Sequence, residues 1–413
     1  MPTPRKLPPI WLMGFGFFPL GASGSLMLAT MPILLASNHV PEARIAAITA
    51  AALVAGIVSF AASPLLDWRF SRKTYAILFA SLGALFVAAA LVFIRHLTVL
   101  PVLAFAANFS ISLCINAVGG WFGNLMPADK DKTALGVWFT VYNLGAGGVV
   151  GSLSMFALRD LPPGAGIVLL ALAVAAAIPL YLAIDCPPAD SKLAHERLAA
   201  FAADVLALLR RPTVLWTLLL FVAPAASFAL TNTLPGFGAD FHTPDKLVGL
   251  IAGIGVAVAG VCGSLVILPL AARLAPRTLY LLVGGFGAAF SLALILAPRT
   301  ALTFGLAVLG ENVFQAAAFS TQNVITLRTI GRANPLAATQ FGLLTAVTFV
   351  PLTYMQLVDG WAYGVGGVNG SYAADALVSG GAVVALGLVL WLLRRFVPPI
   401  PVAAADPEWD AAA

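Results

Sequence analysis

The stretch Phe304 to Gln322, FGLAVLGENVFQAAAFSTQ, holds the residue with the most chemistry to explain. Apolar chain flanks Glu311 on both sides, so a carboxyl group sits where water is scarce. An ionisable group at the centre of a membrane helix costs about 2.5–3.5 kcal/mol even on permissive insertion scales. A carboxyl removed from water favours its neutral form. Glu311 is therefore a candidate to load and release a proton, or to contact a cationic group on a solute. The structural alternative is a protonated Glu311 bonded to Asn312, Gln315 or a neighbouring helix as glue. Interhelical hydrogen bonds average only about 0.6 kcal/mol in a measured bundle. That return is small beside the insertion cost, so the expectation is a proton-coupling or solute-contacting role.

Other polar residues gather on few apolar runs. Gln315, Ser320, Thr321, Gln322 and Asn323 follow Glu311, and Thr339 and Gln340 open the next run. Asn108, Ser110, Ser112 and Asn116 mark the run 99–125, and Tyr142 and Asn143 mark the run 134–158. Taken singly, each is explained by local hydrogen bonding. As a set facing one cavity, Glu311, Asn312, Gln315, Gln340, Asn108, Tyr142 and Asn143 would suit a polar solute. Moving back 204 positions from Asn312 lands on Asn108, and the position of Glu311 then maps to Ala107. The acid is thus expected in one half only. Of the 17 acidic residues the other sixteen are expected in loops, tails or span edges. Among them are Asp359 and Asp375, which bound a polar loop, DGWAYGVGGVNGSYAAD.

Enzyme chemistry finds little support. No HExxH, GxSxG or GxxxxGK[ST] pattern occurs, and the four histidines fall at loops or span ends. Cys114, Cys186 and Cys262 lack CxxC spacing, so neither a disulfide framework nor a metal site is expected. The expectation is a non-enzyme with no cofactor and no ATP drive.

The elements that must position these residues follow from composition. The chain has 413 residues, 61% hydrophobic and 9% charged, against about 25% charged in a typical soluble domain. A spanning helix needs about 20 mostly apolar residues. About twelve such runs occur, near 10–36, 45–66, 75–94, 99–125, 134–158, 165–185, 213–237, 247–271, 278–297, 301–327, 336–358 and 375–393. They are unbroken rather than alternating, which points to helices and away from a barrel. The fold class is an all-α polytopic membrane protein. With the N-terminus inside, 17 of the 22 Lys and Arg residues fall on inner segments and 5 on outer ones, as the positive-inside rule requires. Both termini are expected to be cytoplasmic. The net charge of +5 is thereby a matter of topology, with no nucleic-acid partner implied.

The longest internal polar stretch, Asp185 to Pro212, lies near the midpoint. Leu198, Phe201, Val205 and Leu208 recur there at helical spacing, which suggests an amphipathic surface helix. The expected division is a six-helix bundle over 1–185, a cytoplasmic linker over 186–212, a second six-helix bundle over 213–395 and a disordered tail over 396–413. Pro64-Leu65-Leu66-Asp67 and Pro269-Leu270-Ala271-Ala272 stand at the same inner loop of each half, 205 residues apart. Duplicated six-helix halves are the architecture of major-facilitator transporters, whose site lies at the midplane between them. After the first of these prolines, PLLDWRFSRK offers Asp67, Arg69, Arg72 and Lys73 as a charged cytoplasmic latch that holds the outward-open state. The alternative is that these residues only anchor the topology.

Four patches carry a family likeness. They are Pro64-Leu65-Leu66-Asp67, Tyr142-Asn143-Leu144-Gly145, Glu311-Asn312 with Phe319 beyond a small-residue run, and Ala338-Thr339-Gln340-Phe341-Gly342-Leu343-Leu344. In these the sequence resembles the AmpG-like branch of the major facilitator superfamily, which includes muropeptide permeases, siderophore-importing relatives and the acetyl-CoA transporter group. The resemblance implies about 12 helices in two pseudo-symmetric halves, a bacterial inner-membrane location and solute import driven by proton entry. The departures bear on the solute. Ser59 stands near a position where the branch often has Lys, Asn143 replaces an Arg, and Ala316 and Ala318 replace glycines. Two intramembrane cations are missing, which disfavours a muropeptide with its several carboxylates. The expectation is a monomeric permease for a siderophore-like or other amphiphilic solute, with muropeptide as the second reading. A non-transporting sensor or scaffold is the alternative of another class.

Overall fold

A computed structural model describes residues 7–126, 128–186, 198–331 and 334–393. Arg5, Lys6, Lys192, Arg197, Arg332, Arg394 and Arg395, counted above for topology, lie outside the described residues, as does the tail 396–413. Among the described residues every regular element is helical. In lipid, that is how an apolar run satisfies its own backbone.

The first half of the chain folds into α1 (Ile10–Ser37), α2 (Glu42–Ala62), α3 (Arg72–Val92), α4 (Leu100–Leu125), α5 (Asp129–Arg159) and α6 (Gly164–Ala183). A short surface helix α7 (Leu198–Leu209) and α8 (Pro212–Val222) follow. Then come α9 (Lys246–Ala271), α10 (Pro276–Ile295), α11 (Ala301–Ile330) and α12 (Ala337–Leu392). Local sequence sets several starts. The Ser71 hydroxyl accepts the Thr74 amide at the head of α3. Thr300 and Thr303 form a reciprocal capping box at the head of α11, satisfying donors that a helix end otherwise leaves open.

About twelve crossings were expected; among the described residues ten helices are long and apolar enough to cross, or eleven if one bent pair counts as a span. Two places explain the difference. The expected run 213–237 is broken: Ala223 is extended before Pro224, as a residue preceding proline prefers. Short turns then continue over Leu230–Thr233 and Leu234–Phe241. The last two expected runs are joined in α12, which has 56 residues. A straight helix of that length would span about 84 Å at 1.5 Å per residue, against about 30 Å of hydrocarbon. Gly367, at φ 59 and ψ −150, turns the chain back. The Ser371 hydroxyl donates to the Asp359 carbonyl at 2.9 Å across the bend.

Large apolar side chains face outward along the bundle: Leu85, Leu172, Leu306 and Trp391 are among those exposed. A lipid-facing belt accounts for so much exposed apolar surface. Inside, one core joins Met13, Phe17, Trp121, Phe139 and Tyr181 of α1 and α4–α6, and it extends to Leu327, Ile330 and Phe341 of α11 and α12. A second core joins α8 to α12, through Phe221, Tyr280, Val324 and Leu344.

Candidate functional site

Two buried polar networks and one half-exposed patch hold the residues singled out above. The first network closes one end of the bundle. Asp67 follows the end of α2 and is only 2% exposed. Its Oδ1 accepts from Arg72 Nε at 2.7 Å and from the Ala338 amide at 3.1 Å. Its Oδ2 accepts from the Thr339 amide at 2.7 Å and the Thr339 hydroxyl at 2.6 Å. A carboxylate from the first half thus caps the head of α12, where the helix dipole favours negative charge. Arg72 continues across to the Asn334 and Pro335 carbonyls at 3.1 and 2.8 Å. Lys132 donates to the Gly331 carbonyl at 2.6 Å, the cationic counterpart at the tail of α11. Asn124 and Asn334 exchange a pair of bonds, and Arg328 donates to the Thr133 hydroxyl at 2.7 Å.

Of the four expected latch residues, the structure brings Asp67 and Arg72 to the facing helices and leaves two elsewhere. Arg69 lies over the Trp68 ring at 5.6 Å. Lys73 donates to the Leu182 and Ile184 carbonyls of α6 and its end, within the first half. Gln340, expected beside a solute, belongs to this closed end. It accepts from Asn334 at 2.8 Å and donates to the Thr329 carbonyl at 3.0 Å. Sequence reasoning does not single out Lys132, Asn124, Thr133, Arg328 or Asn334. The charges among them inform orientation alone, and nothing local to these residues shows that they meet across the bundle.

The second network is built on Glu311, fully buried in α11. Ser291 of α10 donates to its Oε1 at 2.5 Å. Asn312 turns back on its own helix, to the Val308 carbonyl at 2.8 Å. Gln315, one turn along, donates to the Thr231 hydroxyl at 2.5 Å and the Phe228 carbonyl at 3.3 Å. Glu311 therefore faces the seam of α10, α11 and α12. It is also not the lone deep acid. Asp359 and Asp375 are 1% and 3% exposed within α12, and both interact electrostatically with Glu311. The stretch expected as an outer loop is helical on both sides of Gly367, because glycine and small polar residues are tolerated in a membrane helix. Glu311 Oε2, both Asp359 carboxylate oxygens and Asp375 Oδ1 have no hydrogen-bond partner. A buried acceptor left unpaired costs about 1–3 kcal/mol. Among the described residues no group of acids, histidines or cysteines is arranged to hold a metal ion.

The third feature lies on α1, α4 and α5. Tyr142 packs edge-on against Phe15 at 5.4 Å and beside Trp138 at 6.2 Å, and Phe15 meets Phe18 at 4.8 Å. Asn143 is its half-buried neighbour. Asn108 accepts from Ser23 at 3.0 Å and donates to the Ala52 carbonyl at 3.4 Å. Tyr142 and Asn143 offer an aromatic face and an amide, Asn108 lies apart from them beside Ser23 and Ala52, and no Lys or Arg occurs in the mid-portions of these three helices.

Helical spans, a network closing one end and polar groups buried at mid-depth define a membrane transporter. The sequence profile of the Major Facilitator Superfamily matches residues 13–351, and the chain belongs to that superfamily. Its fold is similar to that of a variant of the E. coli fucose:proton symporter FucP, with TM-score 0.70 and 14% identity, covering 92% of this chain and 98% of that one. It is also similar to the proton:xylose symporter XylE bound to 6-bromo-6-deoxy-D-glucose, with TM-score 0.65, 14% identity and 94% of each chain covered. A bacterial homologue of the iron transporter ferroportin, in an outward-facing state with soaked iron, aligns with TM-score 0.62 and 16% identity over 93% of this chain and 98% of that one. No curated protein matches this chain by sequence.

Proposed function

We propose that this transporter carries an amphiphilic, siderophore-like solute by alternating access, coupled to protons through Glu311. The observation that carries the solute class is the patch around Tyr142. Its aromatic faces suit an apolar or chelate body, and Asn143 suits amide or hydroxamate oxygens. A solute with several carboxylates would meet no cation there, which weighs against the muropeptide reading. The likeness to AmpG-like permeases supports import across a bacterial inner membrane with both termini cytoplasmic. In that orientation the network at Asp67 closes the cytoplasmic end and the opposite end is the entry.

The test is uptake into vesicles containing the purified monomer. Iron(III)-loaded desferrioxamine B and an anhydro-muropeptide are each offered with the entry side more acidic. Accumulation of the iron chelate, abolished by collapsing the gradient, supports the proposal. Preferential muropeptide uptake replaces the solute assignment. No flux of either, with ligand-dependent signalling intact, favours a sensor.

A further inference from the structure

The seam around Glu311 has more acid than its neighbours balance. The polar and charged groups linked to it come from three places. Asp359, Tyr372 and Asp375 come from α12, Ser291 from α10, and Arg299 from the turn between α10 and α11. Arg299 lies over the Tyr372 ring at 5.5 Å and over Phe241 at 4.7 Å, and it donates to the Asn369 side chain. That bond places the head of α11 and the bend of α12 at the same end of the bundle, opposite Asp67. Glu311 is ten residues from Ala301, about 15 Å along the helix, and Asp359 and Asp375 are each eight residues from Gly367, about 12 Å. All three acids therefore lie near the middle of a hydrocarbon layer about 30 Å thick.

Two further buried hydroxyls lie on the same face of α12 as Asp375. The Tyr372 side chain is fully buried and interacts electrostatically with both Glu311 and Arg299. The Ser379 hydroxyl, one turn beyond Asp375, is buried and unpaired. Like-charged carboxylates brought together in low dielectric cannot all ionise, and one guanidinium cannot balance three. Acceptors outnumber donors, so the group that completes the seam is a donor carried in from outside. The proton is the smallest, and among the described residues no metal arrangement competes with it.

We infer that Asp359 and Asp375, with Glu311, form a proton relay inside the second half of the chain, entered from the Arg299 end and separate from the solute patch. This deepens the proposed function and rests on its proton coupling, but not on its choice of solute. A proton from the entry side binds a carboxylate of the Asp359–Asp375 pair. The resulting O–H passes its proton to Glu311 and regains its own negative charge. Glu311 releases that proton to the other side after the halves have rocked. One proton enters and one leaves, with no other bond made or broken. The hydroxyls of Tyr372 and Ser379 are placed to donate to whichever carboxylate is momentarily charged.

The first measurement needs no solute. Infrared difference spectra of the purified protein in lipid nanodiscs, recorded across a pH change, report carboxyl C=O bands directly. The expectation is that D359N, D375N and E311Q each remove one component of the carboxyl signal and displace what remains. Spectra of both D359N and D375N identical to the unaltered protein would overturn the relay. So would a carboxyl signal in the unaltered protein that sodium ions abolish at constant pH. Thermal unfolding of each variant, with D359E and D375E alongside, separates loss of fold from loss of titration; a relay group recovers its band in the Glu variant. The second measurement uses iron(III)-desferrioxamine B in vesicles. In D359N and D375N, gradient-driven accumulation is expected to fall at least tenfold more than solute counterflow, and equal loss of both overturns the relay. If the unaltered protein does not carry this chelate, the solute assignment fails while the infrared result still decides the relay.

Discussion

Asp67 and Thr339 are 272 positions apart, yet one carboxylate oxygen of Asp67 takes both the amide and the hydroxyl of Thr339, at 2.7 and 2.6 Å. The contact is a helix cap supplied by the other half of the molecule. Under the proposed alternating access the contact breaks when this end opens, so its energy then belongs to one conformation. Removing one partner of a buried, hydrogen-bonded ion pair costs about 3–5 kcal/mol. Replacing Asp67 by Ala strands Arg72 and uncaps α12 together. The expected outcome is a population shift that opens this end. Cysteine pairs placed across it, for example at positions 124 and 334, should crosslink much less readily in D67A than in the unaltered background. Thr339→Val, which removes only the hydroxyl bond, should produce a smaller shift in the same direction.

Replacing Glu311 by Gln keeps the shape and the bond from Ser291 but removes the exchangeable charge. The sign of the effect follows from the direction of coupling. If a proton travels with the solute, acidifying the entry side drives uptake and alkalinising it opposes uptake. E311Q should accumulate solute no better with the gradient than without it, whereas the unaltered protein should respond to both signs. Uptake into vesicles with the gradient imposed in each direction measures this, and a gradient response that survives in E311Q removes the coupling role.

The patch at Tyr142 makes a prediction about selectivity. Asn143→Arg places a cation beside aromatic faces that lack one, and Arg suits a carboxylate through paired hydrogen bonds. A carboxylate-bearing solute should gain relative to a neutral chelate. Tyr142→Ala should weaken the chelate by removing an aromatic face, with an effect of about 1–3 kcal/mol if a planar group stacks there. Competition between the two solutes, measured in the single variants and in the double variant, checks both statements.

Spans and acids were legible in the sequence to different depths. Long apolar runs announce membrane helices because lipid leaves the backbone no alternative, and Glu311 was conspicuous because apolar chain surrounds it on both sides. Asp359 and Asp375 were hidden by their neighbours. Glycine, asparagine and serine between them form the pattern of a loop, and only the helical spacing of Ser371, Tyr372, Asp375 and Ser379 hints at a buried face. The network around Asp67 was half legible. PLLD and the basic residues after it mark a charged inner loop, but the choice of Arg72 over Arg69 and Lys73 depends on where Asn334 and Pro335 arrive, and that is a tertiary fact. Gln340 was misplaced for the same reason. An amide near a helix head reads alike whether it faces a cavity or a closed gate.

Gly367 gives the relay its geometry and carries the last prediction. At φ 59 and ψ −150 it occupies a region that side-chain-bearing residues enter only with strain of about 1–3 kcal/mol. A Cβ placed there meets no neighbouring atom, so the strain is in the backbone alone. Gly367→Ala should therefore lower thermal stability in detergent without a steric clash to relieve. Because the bend brings together the two arms of α12 that carry Asp359 and Asp375, the same substitution should alter the carboxyl infrared bands of both acids at once, although it touches neither. Gly364→Ala, three residues earlier in ordinary helical backbone, is the control; it should raise or leave unchanged the unfolding temperature, since alanine is the better helix former. A Gly367→Ala protein as stable as the unaltered chain, with unchanged carboxyl bands, would mean that the turn is not held by this residue.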